Sequence, residues 1–224
     1  MNPEVIVSEN LGPELDTWWR VAQATVGSLF RAVFRLRTSG SSNIQVHGGA
    51  VVASNHVSVL DPIAVAVAVA ERRRSIHYLA LTEVFELPVI GWSLRRVRQI
   101  PVRRGGGEWH TIERAAEVIR TGSLVGVSAE GTVGDGRGML PVQKGTARIA
   151  LAAGSPVIPV GVWGTQHRWS KAGPTFGRPL RPTVRVLFGP PIESQGDPRS
   201  RQDVRALTDR IADAISTAVS RARP

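Results

Sequence analysis

From residue 39 onward the chain alternates short apolar runs with stretches of helical periodicity, and this alternation constrains its fold more than any other feature. Strand-like runs fall at Ile44 to Ala53, Ile76 to Ala80, Gln99 to Val102, Leu124 to Ser128, Val157 to Val162 and Val184 to Phe188. Between them, helices are predicted at Pro62 to Arg72, Pro88 to Val97, Trp109 to Arg120 and Gly145 to Ala153. Strands alternating with helices imply an α/β domain. A last helix, Gln202 to Arg221, places Val204, Leu207, Ile211, Ile215 and Val219 on one face, which suits closing the core. The glycine- and proline-containing stretch Ser170 to Pro182 reads as a long loop, and Gly189 to Ser200 as a polar linker. There is no internal repeat, and 224 residues suffice for one substantial core. The expected organisation is an N-terminal segment, 1–38, followed by one domain over 39–224.

The N-terminal segment is predicted to be an amphipathic helix from Leu15 to Arg37. At 100° per residue, Leu15, Trp18, Trp19, Ala22, Val26, Leu29, Phe30 and Val33 share a stripe opposite Arg20, Arg31 and Arg35. Two uses fit this stripe: docking on an anionic bilayer, for which tryptophans and arginines are suited, or packing on the core. A net charge of +10 and a pI near 11.5 point to an anionic partner. The charge is nearly all arginine, Lys144 and Lys171 being the only lysines, and a guanidinium makes bidentate bonds to phosphate or carboxylate. No stretch approaches 18 uninterrupted apolar residues and no signal-peptide pattern opens the chain, so neither a membrane span nor export is expected. The absence of cysteine removes disulfides, thiolate zinc sites and a cysteine nucleophile, which fits a reducing cytoplasm.

Three clusters carry candidate chemistry. In Asn55-His56-Val57-Ser58-Val59-Leu60-Asp61, an imidazole and a carboxylate follow a strand-like run. A neutral imidazole takes a proton near neutral pH and a carboxylate fixes its tautomer, so the pair suits activation of a hydroxyl. A capping aspartate and a hydrogen-bonded histidine at a strand-to-helix turn would give the same pattern. The second cluster, Ile100-Pro101-Val102-Arg103-Arg104-Gly105-Gly106-Gly107, joins arginines to a glycine turn that lets backbone N–H groups approach an anion; a solvated basic turn is the alternative. In the third, Ser128-Ala129-Glu130-Gly131-Thr132, the carboxylate can meet a substrate hydroxyl, pair with one of those arginines, or serve a purely structural ion pair.

In order and spacing the three clusters resemble the glycerolipid acyltransferase family, which includes the lysophosphatidate acyltransferases. Asn55, His56 and Asp61 match its Asn-His-x-x-x-x-Asp signature, with Ser58 where serine is common. Glu83, Phe85, Pro88, Gly91 and Trp92, followed by Ile100 to Gly105, resemble the second block, whose arginine aligns with Arg104; Arg103 stands where aspartate is frequent. Glu130-Gly131-Thr132, with Lys144-Gly145 downstream, matches the third block, and Val157-Ile158-Pro159-Val160 the fourth. Together these span roughly Ile44 to Pro190. Ser128 and Ala129 replace the usual Phe-Pro, and Val133 replaces an arginine that commonly helps hold the acceptor phosphate.

The resemblance implies a single domain with a central, mostly parallel mixed sheet flanked by helices. It also implies acyl transfer from a thioester, acyl-CoA or acyl carrier protein, to a hydroxyl of lysophosphatidate, giving phosphatidate. His56 would be the general base and Asp61 its support, with Asn55, Ser58, Arg103, Arg104, Glu130, Gly131 and Thr132 around the acceptor. No bound cofactor or metal is expected. The enzyme would work peripherally on the cytoplasmic face of an anionic membrane. The Val133 departure admits another lysophospholipid or a glycolipid as acceptor. A Ser-His-Asp hydrolase is disfavoured because no Gly-x-Ser-x-Gly elbow is present. Nucleic-acid binding is a remote alternative, since the arginines are dispersed and match no binding motif.

Overall fold

A computed structural model describes residues 16–45, 47–103, 108–177 and 179–224. Leu15, Arg104 and the glycines Gly105, Gly106 and Gly107 lie outside the described residues. Seven strands form the main sheet: β1 (Arg35–Ser39), β2 (Ala50–Ser54), β3 (Ile76–Leu81), β4 (Ile100–Val102), β5 (Leu124–Ser128), β6 (Val157–Trp163) and β9 (Thr183–Phe188). Their order is β1-β9-β6-β2-β5-β3-β4, and every pairing is parallel except β6 with β9. A small hairpin of β7 (Trp169–Ser170) and β8 (Gly173–Pro174) stands apart from the sheet.

The helices are α1 (Thr17–Ala22), α2 (Ser28–Val33), α3 (Asp61–Val69), α4 (Thr82–Phe85), α5 (Pro88–Arg96), α6 (Glu108–Arg120), α7 (Lys144–Ala153) and α8 (Arg201–Ala222). They cover both faces of the sheet, which is why β2 is buried at all five positions instead of alternating. Ala50 and Val52 join one core with Trp19, Phe30, Phe34 and the α3 residues Ala64 and Val65. Val51 and Ala53 join the other, with Ile112 and Ala115 of α6, Ile149 of α7, and Ile211 and Ile215 of α8. Gly161 lets α8 lie directly on β6, for an added Cβ would sit 2.3 Å from the carbonyl carbon of Ala218.

The predicted α/β architecture is present, and the expected strands and helices fall within a few residues of the observed ones, except at two places. The predicted strand from Ile44 begins only at Ala50, because Gly48 at φ +86° and Gly49 turn the chain before it. The predicted N-terminal helix stops at Val33, and Arg35–Ser39 pairs with β9 as an edge strand. Its sequence, Arg-Leu-Arg-Thr-Ser, carries the two-residue alternation of a half-covered strand, and exposure alternates accordingly. A five-residue π-turn, Gln23–Gly27, separates α1 from α2. Along this segment Trp19, Gly27, Phe30 and Phe34 are buried while Trp18, Val26 and Leu29 are exposed. The single stripe of the sequence thus divides: Trp19 belongs to the core, and Trp18 faces outward against Trp92, at 5.4 Å between ring centroids.

Candidate active site

The carboxyl end of β2 lies in the middle of the sheet, where a parallel arrangement gathers the loops after neighbouring strands. Past Ser54 the pairing with β6 is continued by a side chain. The Asn55 amide donates to the Val162 carbonyl at 3.0 Å and accepts the Val162 N–H at 2.7 Å. The next residue, His56, therefore leaves the sheet from a fixed point. Its N–H donates to Glu130 Oε1 at 2.7 Å, and its carbonyl accepts the Gly134 N–H at 2.7 Å.

His56 Nδ1 meets Asp61 Oδ2 at 3.1 Å. The same oxygen accepts the N–H groups of Val57 and Ser58 at 2.7 and 2.8 Å, and Oδ1 accepts the Thr165 hydroxyl at 2.5 Å. Asp61 has no exposed side-chain surface, so these donors replace the water that an ionised carboxylate would otherwise need. His56 keeps 14% of its side-chain surface, and no hydrogen bond occupies its Nε2 among the described residues. With Nδ1–H held by the carboxylate, the lone pair sits on Nε2, the atom open to a substrate proton. Ser58 is fully buried and its Oγ accepts the Leu60 N–H at 3.1 Å, so it turns the chain toward α3 and offers no nucleophile. Asp61 opens α3 without capping it: its Oδ2 takes the N–H groups of the turn before the helix, and the same geometry orients the imidazole.

Glu130 is the second organising group. Its Oε1 takes the His56 N–H and its Oε2 the Leu140 N–H at 2.8 Å, joining the loop after β2 to the loop after β5. Burial pushes its carboxyl above the ordinary carboxylate range, against the two backbone N–H groups that favour the ion. Gly131 follows with φ +71°, and both Gly131 and Thr132 are exposed. Arg103, exposed at the carboxyl end of β4, stands three strand positions from β2, a lateral separation of roughly 14 Å.

The structure therefore brings Asn55, His56, Ser58, Asp61 and Glu130 into one hydrogen-bonded cluster, with Gly131 and Thr132 at its open side and Arg103 farther along the edge. Arg104 lies outside the described residues. The polar atoms of Asn55, Ser58 and Glu130 are engaged by the chain itself. Thr165 and Gly134 were not legible in the sequence, since neither stands in a motif and Thr165 is 104 positions from its partner. A different histidine, His77, is unsuited to act as a base: it is buried, its Nδ1 meets the Arg98 carbonyl, and burial pushes its pKa down to about 4. Among the described residues no group of three or more His, Cys, Asp or Glu is disposed to hold a metal.

Fold and site together define an α/β protein in which a buried carboxylate orients a partly exposed imidazole at the carboxyl end of a parallel strand. Residues 35–163, more than half of the chain, match the family model described as Acyltransferase, and the chain belongs to that family. The 1-acyl-sn-glycerol-3-phosphate acyltransferase of Bacillus subtilis is 23% identical over 184 residues, which are 80% of this chain and 86% of that protein. The alpha form from Mus musculus is 30% identical over 168 residues, covering 75% of this chain but 57% of its own length. The chloroplastic enzyme BAT2 of Brassica napus is 31% identical over 144 residues, 62% of this chain and only 39% of its own. The crystal structure of the 1-acyl-sn-glycerophosphate acyltransferase PlsC from Thermotoga maritima has the same fold. It superposes with a TM-score of 0.73 at 22% identity, over 92% of this chain and 80% of that one.

Proposed function

We propose that the chain transfers a fatty acyl group from an acyl thioester to the free hydroxyl of a 1-acylglycerol 3-phosphate at a membrane surface. The observation that carries this reading is the His56–Asp61 pair after the carboxyl end of β2, with Nε2 free of hydrogen bonds among the described residues, in a chain of the acyltransferase family. Nε2 of His56 takes the hydroxyl proton as the oxygen attacks the thioester carbonyl. Asp61 holds the ring and stabilises the imidazolium. Collapse of the tetrahedral intermediate forms the ester, breaks the carbon–sulfur bond and returns the proton to the departing thiolate, so no acyl-enzyme is needed. General-base assistance supplies about 10²- to 10⁴-fold, and alignment of the two substrates supplies much of the rest.

Asn55, Ser58 and Glu130 build the frame, while Gly131, Thr132, Arg103 and Arg104 contact the acceptor's glycerol phosphate. Val133, where the family commonly has arginine, favours testing other lysophospholipids and glycolipids as acceptors. The donor is acyl-CoA or acyl carrier protein. No helix among the described residues is long and apolar enough to cross a membrane. The chain instead docks peripherally, on an anionic cytoplasmic leaflet, with the exposed Trp18, Val26 and Leu29 of its N-terminal helices.

The test is acyl transfer by the purified chain, offering acyl-CoA and acyl carrier protein donors to lysophosphatidate and to other lysophospholipids, beside His56→Ala. Phosphatidate formed by the wild type and reduced at least about a hundred-fold in the variant is the expected result. Undiminished transfer by His56→Ala would overturn the assignment of the base.

A further inference from the structure

A concavity of about 360 Å³ opens between the end of α2, the start of β1 and the segment just before β9. Arg31, Arg35, Arg37 and Arg181 line it around a single acid, Glu71, with Phe34 and Leu36 as its apolar part. A neighbouring opening of about 660 Å³ shares Arg35 and Arg181 and adds Leu180. Arg181 is fixed in place: Nε donates to the Phe34 carbonyl and Nη2 to the Arg31 carbonyl, capping the carbonyl end of α2 as a cation should. The side chains of Arg31, Arg35 and Arg37 are exposed and make no hydrogen bond or ion pair within the described residues. Four guanidiniums facing one carboxylate leave an uncompensated positive concavity suited to phosphate oxygens.

The loop beside it is held open by design of its hydrogen bonds. Arg168 donates to the carbonyls of Gly177 and Pro179 at 2.9 and 2.6 Å, and Thr175 N–H donates to the Arg168 carbonyl. On this braced loop Phe176 is 89% exposed and Leu180 81%. Leu180 borders the arginines and Phe176 stands four residues before it on the same loop; exposed apolar side chains beside arginines do not suit a soluble anion, whereas a bilayer takes both parts, phosphates at the arginines and hydrocarbon around the apolar tips.

The concavity lies at the same end of the strands as the base, where β2 and β6 finish and β1 and β9 begin. Arg35 pairs with Thr183, and a Cβ added at Gly164 would meet the Thr183 carbonyl oxygen, so Thr183 is beside the turn that carries Thr165. Thr165 in turn holds Asp61. Three strand steps, roughly 14 Å, separate β1 from β2. We infer that the Arg31/Arg35/Arg37/Arg181 concavity binds the phosphate of an anionic phospholipid in the bilayer, with Phe176 and Leu180 inserted beside it. This rests on the peripheral docking proposed above and adds to it a second contact, separate from Trp18, that sets the bilayer level with His56.

The test is sedimentation of the full chain with vesicles of phosphatidylcholine alone and of equal parts phosphatidylcholine and phosphatidylglycerol. The variants are Arg31→Gln/Arg35→Gln, Phe176→Ser/Leu180→Ser, and a charge-matched control, Arg201→Gln/Arg205→Gln, on the helix that covers the opposite face of the sheet. Thermal unfolding verifies that each variant folds. At about five-fold per arginine near an anionic surface, the first variant should bind mixed vesicles about thirty-fold more weakly, and the control should match the wild type. The Phe176/Leu180 variant should weaken binding to both vesicle types. Sodium phosphate should displace the protein no better than chloride of equal ionic strength. An equal loss in the control, selective displacement by free phosphate, or wild-type affinity in the Arg31/Arg35 variant would overturn this site while leaving docking through Trp18 standing. Failure of the wild type to bind any vesicle would overturn the docking reading itself.

Discussion

Replacing Thr165 with valine removes one atom's chemistry from the site and almost nothing of its shape. The side chain is fully buried, and its hydroxyl donates at 2.5 Å to Asp61 Oδ1, an oxygen with no other donor among the described residues. A hydrogen bond to a charged group contributes about 1.5–3 kcal/mol. The methyl that replaces the hydroxyl returns about 0.8 kcal/mol by burial, leaving a net loss of about 1–2 kcal/mol. For a chain of this size each kcal/mol lowers the melting temperature by about 2–4 °C, so the variant should melt about 2–8 °C below the wild type. The carboxylate keeps its orientation, because Oδ2 still holds the N–H groups of Val57 and Ser58 and the His56 ring. Catalysis should therefore fall by less than the about thirty-fold that would result if the whole loss appeared in the transition state.

Urea and thermal unfolding read the first quantity, and acyl transfer under subsaturating acceptor reads the second, with Thr165→Ser as the rescue that restores the donor. A variant as stable as the wild type would show that the hydroxyl contributes nothing to the buried carboxylate. A rate as low as that of Asp61→Ala would show that Thr165 does more than hold Asp61. Either result refutes the reasoning.

The two neighbouring tryptophans should separate cleanly. Trp19→Ala, in the core, should cost about 3–5 kcal/mol in urea unfolding, whereas Trp18→Ala should cost about 1 kcal/mol or less and instead weaken vesicle sedimentation. Gly161→Ala should destabilise the chain by at least about 1–3 kcal/mol, because the new Cβ forces α8 off β6, while Gly138→Ala, with no atom within 4 Å of the added Cβ, should be nearly neutral in the same melt. The raised carboxyl of Glu130 sets a pH dependence. Its folded value lies above its unfolded one, so its contribution is full below the ordinary glutamate value of about 4.3 and is lost as pH rises through the folded value. The stability of the wild type relative to Glu130→Gln, measured by urea unfolding, should accordingly shrink from acid toward neutral pH; growth over that interval would show that the two backbone N–H bonds outweigh burial.

The sheet and most helices were legible in the sequence because both cores draw on periodic apolar runs. β2 is such a run, and alternate residues of it serve opposite cores. The His56–Asp61 pair was legible because both groups sit on one short turn, where five positions of spacing suffice to bring Nδ1 to the carboxylate. What escaped lies in contacts of long sequence separation. Thr165 reaches Asp61 across 104 residues, and Asn55 reaches Val162 across 107, and no local pattern records either. The N-terminal helix misled for another reason. The stripe was drawn too wide: Trp18 and Trp19 are adjacent in α1 and stand about 100° apart, so Trp19, Phe30 and Phe34 share the core face while Trp18 and Leu29 lie outside it. The edge strand Arg35–Ser39 was absorbed into the same stripe because its arginines suited the polar face of a helix as well as the open side of a strand.

The site divides into a closed half and an open half, and the division has a chemical reason. Every polar atom that orients the His56 imidazole is satisfied within the chain: both oxygens of Asp61, both oxygens of Glu130 and both ends of the Asn55 amide. The general base proposed at His56 gains from such over-determination, since the proton must be met at hydrogen-bond distance and at a fixed angle. Gly131, Thr132 and Arg103, in contrast, are exposed, and Nε2 of His56 carries no internal bond among the described residues. An acceptor that arrives by lateral diffusion in a bilayer cannot be enclosed on all sides. In the proposed membrane-bound enzyme the open half therefore faces the lipid, and the closed half holds His56 steady without help from the substrate. That requirement is met when one end of the sheet carries His56, the turn of Thr165 and the arginine concavity at the start of β1, because the proposed docking through one would then present the others to the same leaflet.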